Sequence, residues 1–172
     1  TQVAIIATDL KGVIQTFNVG AECMLGYRAE ELVGRATPER IHLAAEMQQR
    51  SQELGMLLGR SVSGFEVFVA EASGEHGHVE HEWTYVRRDG SQLVVNLIVT
   101  GVRDADEQLV GYLGIAIDIT EARHNREALE ARDQLLEKLT ANVPGAIYQY
   151  QLNADGSSCF PYASLGLRAL YE

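Results

Sequence analysis

The densest group of side chains able to do chemistry is Glu75-His76-Gly77-His78-Val79-Glu80-His81-Glu82, with three imidazoles and three carboxylates within eight residues. Imidazole and carboxylate at such close spacing can hold zinc or nickel. The same run is a glycine-containing loop leading into a strand, a setting in which solvated histidines are ordinary, and it is assigned no metal. Cys23 and Cys159 lie far apart, and neither forms a Cys-x-x-Cys pair. They give no disulfide framework and no thiolate metal site, and they fit a reducing, cytoplasmic compartment. Asp9, Asp89 and Asp104 stand beside turn residues, where a carboxylate that hydrogen-bonds its own backbone is common. No nucleophile stands beside a base in any of these groups. The sequence names no catalytic residue, and the chain is not read as an enzyme.

Bulk composition narrows the partners. The 172 residues carry 14 Lys and Arg against 24 Asp and Glu, a net charge of -10. That surface repels phosphate, which argues against nucleic acid and against anionic membrane. No apolar run approaches the ~18 residues of a membrane span, and no signal peptide opens the chain. The chain starts in a strand-like run and ends in a helix-like run, as a piece of a larger protein would.

The elements that carry these residues follow from alternation and turn chemistry. Val3 to Thr8, the Asp9-to-Gly12 turn and Val13 to Phe17 read as a hairpin. Asn18 can cap a short helix through Leu25, stopped by Gly26, and Arg28 to Val33 form a second, ended by Gly34. Pro38 starts a helical stretch running to about Leu58. Phe65 to Val69 fits helix or strand equally. Three strands follow: Val79 to Arg88, Gln92 to Val102 and Leu109 to Ile119, joined by turns at Asp89-Gly90 and Asp104 to Glu107. Thr120 can cap the charged helix behind them, with Ala122, Leu129, Leu136 and Leu139 at near-heptad spacing. Asn142 to Gly145 ends that helix. A further hairpin, Ala146 to Leu152 and Ser157 to Ala163, then leads into the start of another helix. This order predicts an α+β fold: a five-stranded antiparallel sheet with helices on one face, followed by a long linker helix.

The run from Ile5 to Asn18, Gly26-Tyr27 with Glu30 to Gly34, Arg87 to Gly90, and Gly111 to Glu121 together resemble the PAS (PAS/PAC) family of bacterial sensor domains. The resemblance covers roughly residues 1–121, with the helix behind it as the family's usual linker. It divides the chain into a sensor domain at 1–119, a signalling helix at 120–142, and the N-terminal part of a second, truncated PAS-like domain at 143–172. It implies a sensory and dimerisation module upstream of a histidine kinase, a cyclic-di-GMP enzyme or a chemoreceptor. No phospho-acceptor motif, nucleotide-binding glycine loop or cyclase signature is present, so the output domain lies elsewhere.

The same resemblance sets the faces of the strands. Ile6 and Thr8 turn toward the helices, and with them Trp83, Tyr85, Val95, Leu97, Val99, Tyr112, Gly114 and Ala116. With Phe65 and Phe68 these residues surround the space where family members hold a small ligand. Packing alone demands the same alternation, so they fill either a core or a pocket. Ile5, Val13, Val94, Ile98, Leu113, Ile115 and Ile117 point away from the helices. A solvated face would be polar there, and such a patch needs a cover. A homodimer through that face, with Leu129 and Leu136 pairing along the helix, is the expected arrangement. Asp118 and Thr120 are expected to fix the angle at which strand becomes helix and so to transmit the signal. Glu30 or Glu31 is expected to pair with Arg87 or Arg88.

Cofactors are weighed from the same resemblance. The light-oxygen-voltage branch implies a cysteine just after Gly34-Arg35; here Ala36 and Thr37 follow. Val95 and Ala116 stand where that branch grips a flavin, although Trp83 and Tyr85 could stack on a ring. Haem needs an axial histidine. His42 lies near the right helix but out of step with Pro38, and it reads as a surface or capping histidine. No cofactor is named. A ligand-free scaffold and a flavin- or haem-bearing redox or gas sensor stay open.

Overall fold

The structure, a computed structural model, describes residues 3–72, 77–141, 148–153 and 155–163, with backbone alone at 136, 137, 139–141, 162 and 163. It divides into two units, Thr1–Glu121 and Ala122–Glu172.

The first unit is built on a five-stranded antiparallel sheet in the order β2-β1-β5-β4-β3. Its strands are β1 (Val3–Asp9), β2 (Ile14–Phe17), β3 (His78–Val86), β4 (Gln92–Arg103) and β5 (Leu109–Asp118). The turns are those expected. Asp9 Oδ1 accepts from the Lys11 and Val13 N–H groups, Asp89 Oδ1 from Ser91, and Asp104 Oδ1 from Asp106 and Gln108. All three aspartates are local turn-formers. Asn18 caps α1 (Val19–Leu25) by accepting from Ala21 N–H at 2.8 Å, and it also accepts from Ile5 N–H at 2.9 Å. One side chain thus starts a helix and pins it to β1. Gly26 closes α1 in the left-handed region, φ 74°. The short α2 (Ala29–Leu32) and α4 (Glu66–Val69) complete that layer. The segment that fitted helix or strand is therefore helix at Glu66–Val69.

The long helix expected from Pro38 to Leu58 is broken. A single 3-10 turn, Pro38–Ile41, gives way to extended backbone at His42, and α3 (Ala44–Leu58) starts afresh. The cause is non-local. β3 is an edge strand, and unpaired edge groups need partners. His42 bridges Tyr85, Leu43 N–H donates to Thr84 O at 3.0 Å, and Glu46 accepts from both Thr84 N–H (2.7 Å) and Thr84 Oγ1 (2.6 Å). The chain leaves the helical path to cover that edge.

Alternation holds along the strands. Ala4, Ile6 and Thr8 are buried on β1, Trp83 and Tyr85 on β3, Leu93, Val95, Leu97 and Val99 on β4, and Tyr112 and Ala116 on β5. Each large apolar side chain taken from water contributes about 1.5–3 kcal/mol. On the reverse face the registers align Ile5 with Ile115 and Ile98, and Ala7 with Leu113 and Thr100. Ile5, Val94, Ile98, Leu113, Ile115 and Ile117 are half-buried there. Val13 lies in the turn before β2, also half-buried. The strip ends in polar residues at β3, where Asn96 Nδ2 donates to Glu80 at 2.6 Å.

In the second unit, α5 (Thr120–Ala141) continues from the first, and a hairpin pairs β6 (Tyr148–Leu152) with β7 (Ser158–Ala163). The hairpin turn repeats the β3–β4 chemistry: Asp155 Oδ1 accepts from the Ser157 N–H and hydroxyl, as Asp89 does from Ser91. Leu129 is exposed, whereas the Leu136 and Leu139 side chains, the helix end at Asn142 to Gly145 and the helix expected after Ser164 lie outside the described residues.

Candidate functional site

The inner face of the sheet and the helical layer enclose a small, mostly apolar cavity. Ile6, Thr8, Leu97, Val99, Tyr112 and Gly114 line it from the sheet, with Tyr85 from the edge strand. Pro38, His42, Phe65, Phe68 and Val69 close it from above. Of the twelve residues expected around a ligand, nine meet here. Trp83, Val95 and Ala116 are buried on the same face but outside this space. The free volume is about 30 Å³. That is room for a water molecule or little more, where pockets for drug-sized ligands hold about 300–1,000 Å³. Gly114 helps to keep the space open: a Cβ there would stand 3.4 Å from Leu97 Cδ1. Phe65 is half-buried at the rim, edge-on to Tyr112 at 5.6 Å and packed on Gly12 so closely that a Cβ would overlap its ring. Gly12 also needs its positive φ of 83°.

His42 is the residue that the sequence reading misplaced. It is not a surface or capping histidine but 5% exposed, with its ring 4.2 Å from Phe68, 4.7 Å from Tyr85 and 5.3 Å from Trp83 between centroids. Its Nδ1 lies 2.7 Å from Pro38 O. A carbonyl only accepts, so Nδ1 carries the proton, and the neutral ring presents a bare lone pair at Nε2. Burial pushes its pKa down to about 4 against the pull of the Pro38 bond, so the ring is neutral at physiological pH. Nε2 finds no hydrogen-bond partner among the described residues, and neither does the buried Thr8 Oγ1. Burial likewise raises the Tyr85 phenol, which stays protonated. The clue in the sequence was Pro38 four residues ahead of His42, which lets one turn bring a carbonyl to Nδ1. What buries the ring comes from α4 and β3 and leaves no local mark.

At the opposite end of β5 the strand passes into α5 through a set of short bonds. Asp118 Oδ1 accepts from Thr120 N–H at 2.9 Å. Val94 N–H donates to Thr120 Oγ1 at 2.9 Å, and Ile119 N–H donates to Val94 O at 2.9 Å. Thr120 is therefore not the cap expected of it. It is the first helical residue, its hydroxyl is spent on β4, and the Asp118 carboxylate serves the helix start. Asp118 Oδ2 also stands 3.9 Å from Arg87 Nη2, while Arg87 Nε donates to Met24 O at 2.8 Å. Next to it, Arg88 pairs with Glu31 at 3.0 Å, one of the expected combinations. Arg87 thus links the end of α1 to the strand–helix junction.

The histidine-rich run does not converge. His76 lies outside the described residues, and His78 and His81, three apart on β3, alternate to opposite faces. Among the described residues no three His, Cys, Asp or Glu side chains form a group able to hold a metal. Cys23 and Cys159 are both exposed. No helix among the described residues is long and apolar enough to cross a membrane.

With this geometry in place, comparison with known proteins is direct. A family model described as PAS domain matches residues 2–121. Two-component system protein A of Emericella nidulans is 28% identical over 145 residues, 81% of this chain and 19% of that protein. The C4-dicarboxylate transport sensor protein DctS of Rhodobacter capsulatus is 28% identical over 166 residues, 94% of this chain and 23% of that protein. The chain thus spans about a fifth of the length of these relatives. Among solved structures, the PAS domain of a Colwellia psychrerythraea protein aligns with a TM-score of 0.56 at 24% identity, covering 70% of this chain and 89% of that one. An RNA-binding light-oxygen-voltage receptor aligns with a TM-score of 0.58 at 19% identity, covering 78% and 34%. At these identities the structural likeness speaks for the fold.

Proposed function

The chain belongs to the PAS domain family, as a sensor domain homologous to two-component and sensor proteins, and on that basis we propose that it is the input module of a bacterial-type sensor histidine kinase. The cavity reads a small molecule, and the Asp118–Thr120 junction passes its occupancy to α5. The observation that carries this reading is the bonding of Val94, Asp118, Ile119 and Thr120, which ties the first helical residue to two central strands. A shift in β4 or β5 then rotates or translates the helix start, a two-state element that a ligand biases. The relatives' names, a two-component system protein and a transport sensor protein, support a two-component output over a cyclic-di-GMP enzyme. Chemistry belongs to that output domain, and the module works as a homodimer in the cytoplasm. The half-buried apolar strip of Ile5, Ile98, Leu113, Ile115 and Ile117 supports the dimer, with Leu129 and Leu136 pairing along α5. The two exposed thiols fit a reducing compartment. Residues 143–172 read as the start of a second PAS-like domain, supported by the repeated Asp-Gly-Ser turn.

The residues do not fit a flavin or a haem. Neither ring system enters about 30 Å³. Thr37 stands where the photochemical cysteine would, and Cys23 is exposed on α1. The small cavity does favour a second reading, a ligand-free interaction scaffold. Autophosphorylation of the full-length protein with Thr120→Val and Asp118→Ala separates these readings. We expect a folded sensor whose output no longer follows its stimulus, and an unchanged response refutes transmission through the junction. Native mass spectrometry of the purified dimer shows whether it carries a small molecule.

A further inference from the structure

At the open end of β3 we propose a docking site for an extended segment of a partner protein rich in lysine or arginine, added to the sheet as a further strand. The site is independent of the inner cavity. The two edges of the sheet are finished differently. On β2, Ile14 N–H donates to Ala36 O at 2.9 Å and Ile14 O accepts from Gly34 N–H at 2.7 Å. On β3 the chain covers the Thr84–Tyr85 end, through His42, Leu43 and Glu46. Backbone groups alternate between the two sides of a strand, so Glu80 turns its N–H and C=O the same way as Thr84. Among the described residues no backbone group meets Glu80 on that side. Such an edge is a template for another strand. α3 runs beside it, and the two elements leave a groove of about 210 Å³ between them. Glu46, Arg50 and Glu53 line the groove from the helix, and Glu82 from the strand. Three carboxylates thus face one guanidinium, and Arg50 is already paired with Glu53 at 3.2 Å and Glu71 at 2.7 Å. The groove is acidic, and a basic segment complements it. The same charge disfavours a second copy of this chain: two β3 edges side by side would bring Glu80 and Glu82 against their counterparts.

The test uses the full chain, labelled with nitrogen-15, and two short capped peptides, one of lysine alternating with threonine and one of glutamate alternating with threonine. The readouts are exchange of the Glu80 amide and the fluorescence of Trp83, which lines the groove. In the free protein the Glu80 amide should exchange as fast as one in an exposed turn. The lysine peptide should bind saturably and slow that exchange at least about tenfold, and its affinity should exceed that of the glutamate peptide at least about tenfold. Proline is tolerated where a strand's N–H faces outward, so Glu80→Pro should fold and lose the peptide. Glu80→Gln keeps the N–H and should bind within a few-fold of the natural protein. Equal binding by these two variants reduces the groove to surface charge and overturns strand addition. No saturable binding, or equal binding of both peptides, overturns the partner class. Protection of the Glu80 amide that grows with protein concentration alone assigns the edge to a second copy, and protection in the dilute free protein shows the edge already covered; either result overturns the proposal.

Discussion

Lowering the pH should unfold the sensor unit through His42, and replacing that ring should remove the effect. The imidazole has a model-peptide pKa of 6.5 and a buried value of about 4. Folding therefore favours the neutral form. That stability is complete above 6.5 and is lost as pH falls through the interval down to about 4. The full difference corresponds to about 3 kcal/mol, and most of it disappears between about pH 7.5 and about pH 4.5. The Pro38 bond opposes only part of the burial effect, and the ring otherwise packs against Phe68, Trp83 and Tyr85, of which Tyr85 stays uncharged throughout. Trp83, the single tryptophan, is buried in contact with His42, so its fluorescence reports this unit alone. Urea titrations at the two pH values, on the natural protein and on His42→Phe, give the comparison. Carboxylates with lowered pKa, such as Asp89 and Glu53, contribute equally to both proteins. The variant should therefore lose about 2–3 kcal/mol less than the natural protein, whatever its stability at neutral pH. Equal losses would show that His42 is not buried as a neutral ring, and the acceptor role of Nε2 would fall with it.

Three further outcomes follow. Glu46→Ala should cost about 1–3 kcal/mol, because Thr84 N–H and Oγ1 lose their acceptor at the sheet edge, and equilibrium unfolding measures it. Gly12→Val should destabilise the unit and expose the cavity rim, since the φ of 83° is strained for valine and its Cβ would overlap Phe65; Trp83 emission and thermal melting report both. Ile115→Glu places a charge in the middle of the apolar strip and should convert a dimer to a monomer in sedimentation velocity; a chain that associates unchanged shows that the strip is not the interface.

Much of the sheet was legible because its signals are local. Asp-Gly at 89–90 and the alternation from Gln92 to Val102 mark the strands and their turn, and the resemblance then assigns the faces, which names most of the buried rows of β3, β4 and β5 but not Leu93. Asn18 was legible for the same reason: a cap announces itself one turn ahead. What escaped was set by distant partners. The break at His42 exists because Thr84 and Tyr85 need covering, and these lie some forty residues on. The burial of His42, the one observation that gives the cavity its polarity, follows from that break. Thr120 was recognised as part of the junction but given the wrong partner, because Val94 sits 26 residues before it. Proximity in sequence points to capping, and proximity in the sheet decides otherwise.

Amide hydrogen exchange at Val94, Ile119 and Thr120 tests the central claim, that the start of α5 is tied to the central strands at Thr120. The account predicts that these three amides open only with the β4–β5 pairing, with protection close to that of Leu97 and Ala116, and that Thr120→Val releases Val94 first. Exchange at the junction as fast as at the exposed turn Asp104 to Gln108, with the sheet still protected, would contradict it.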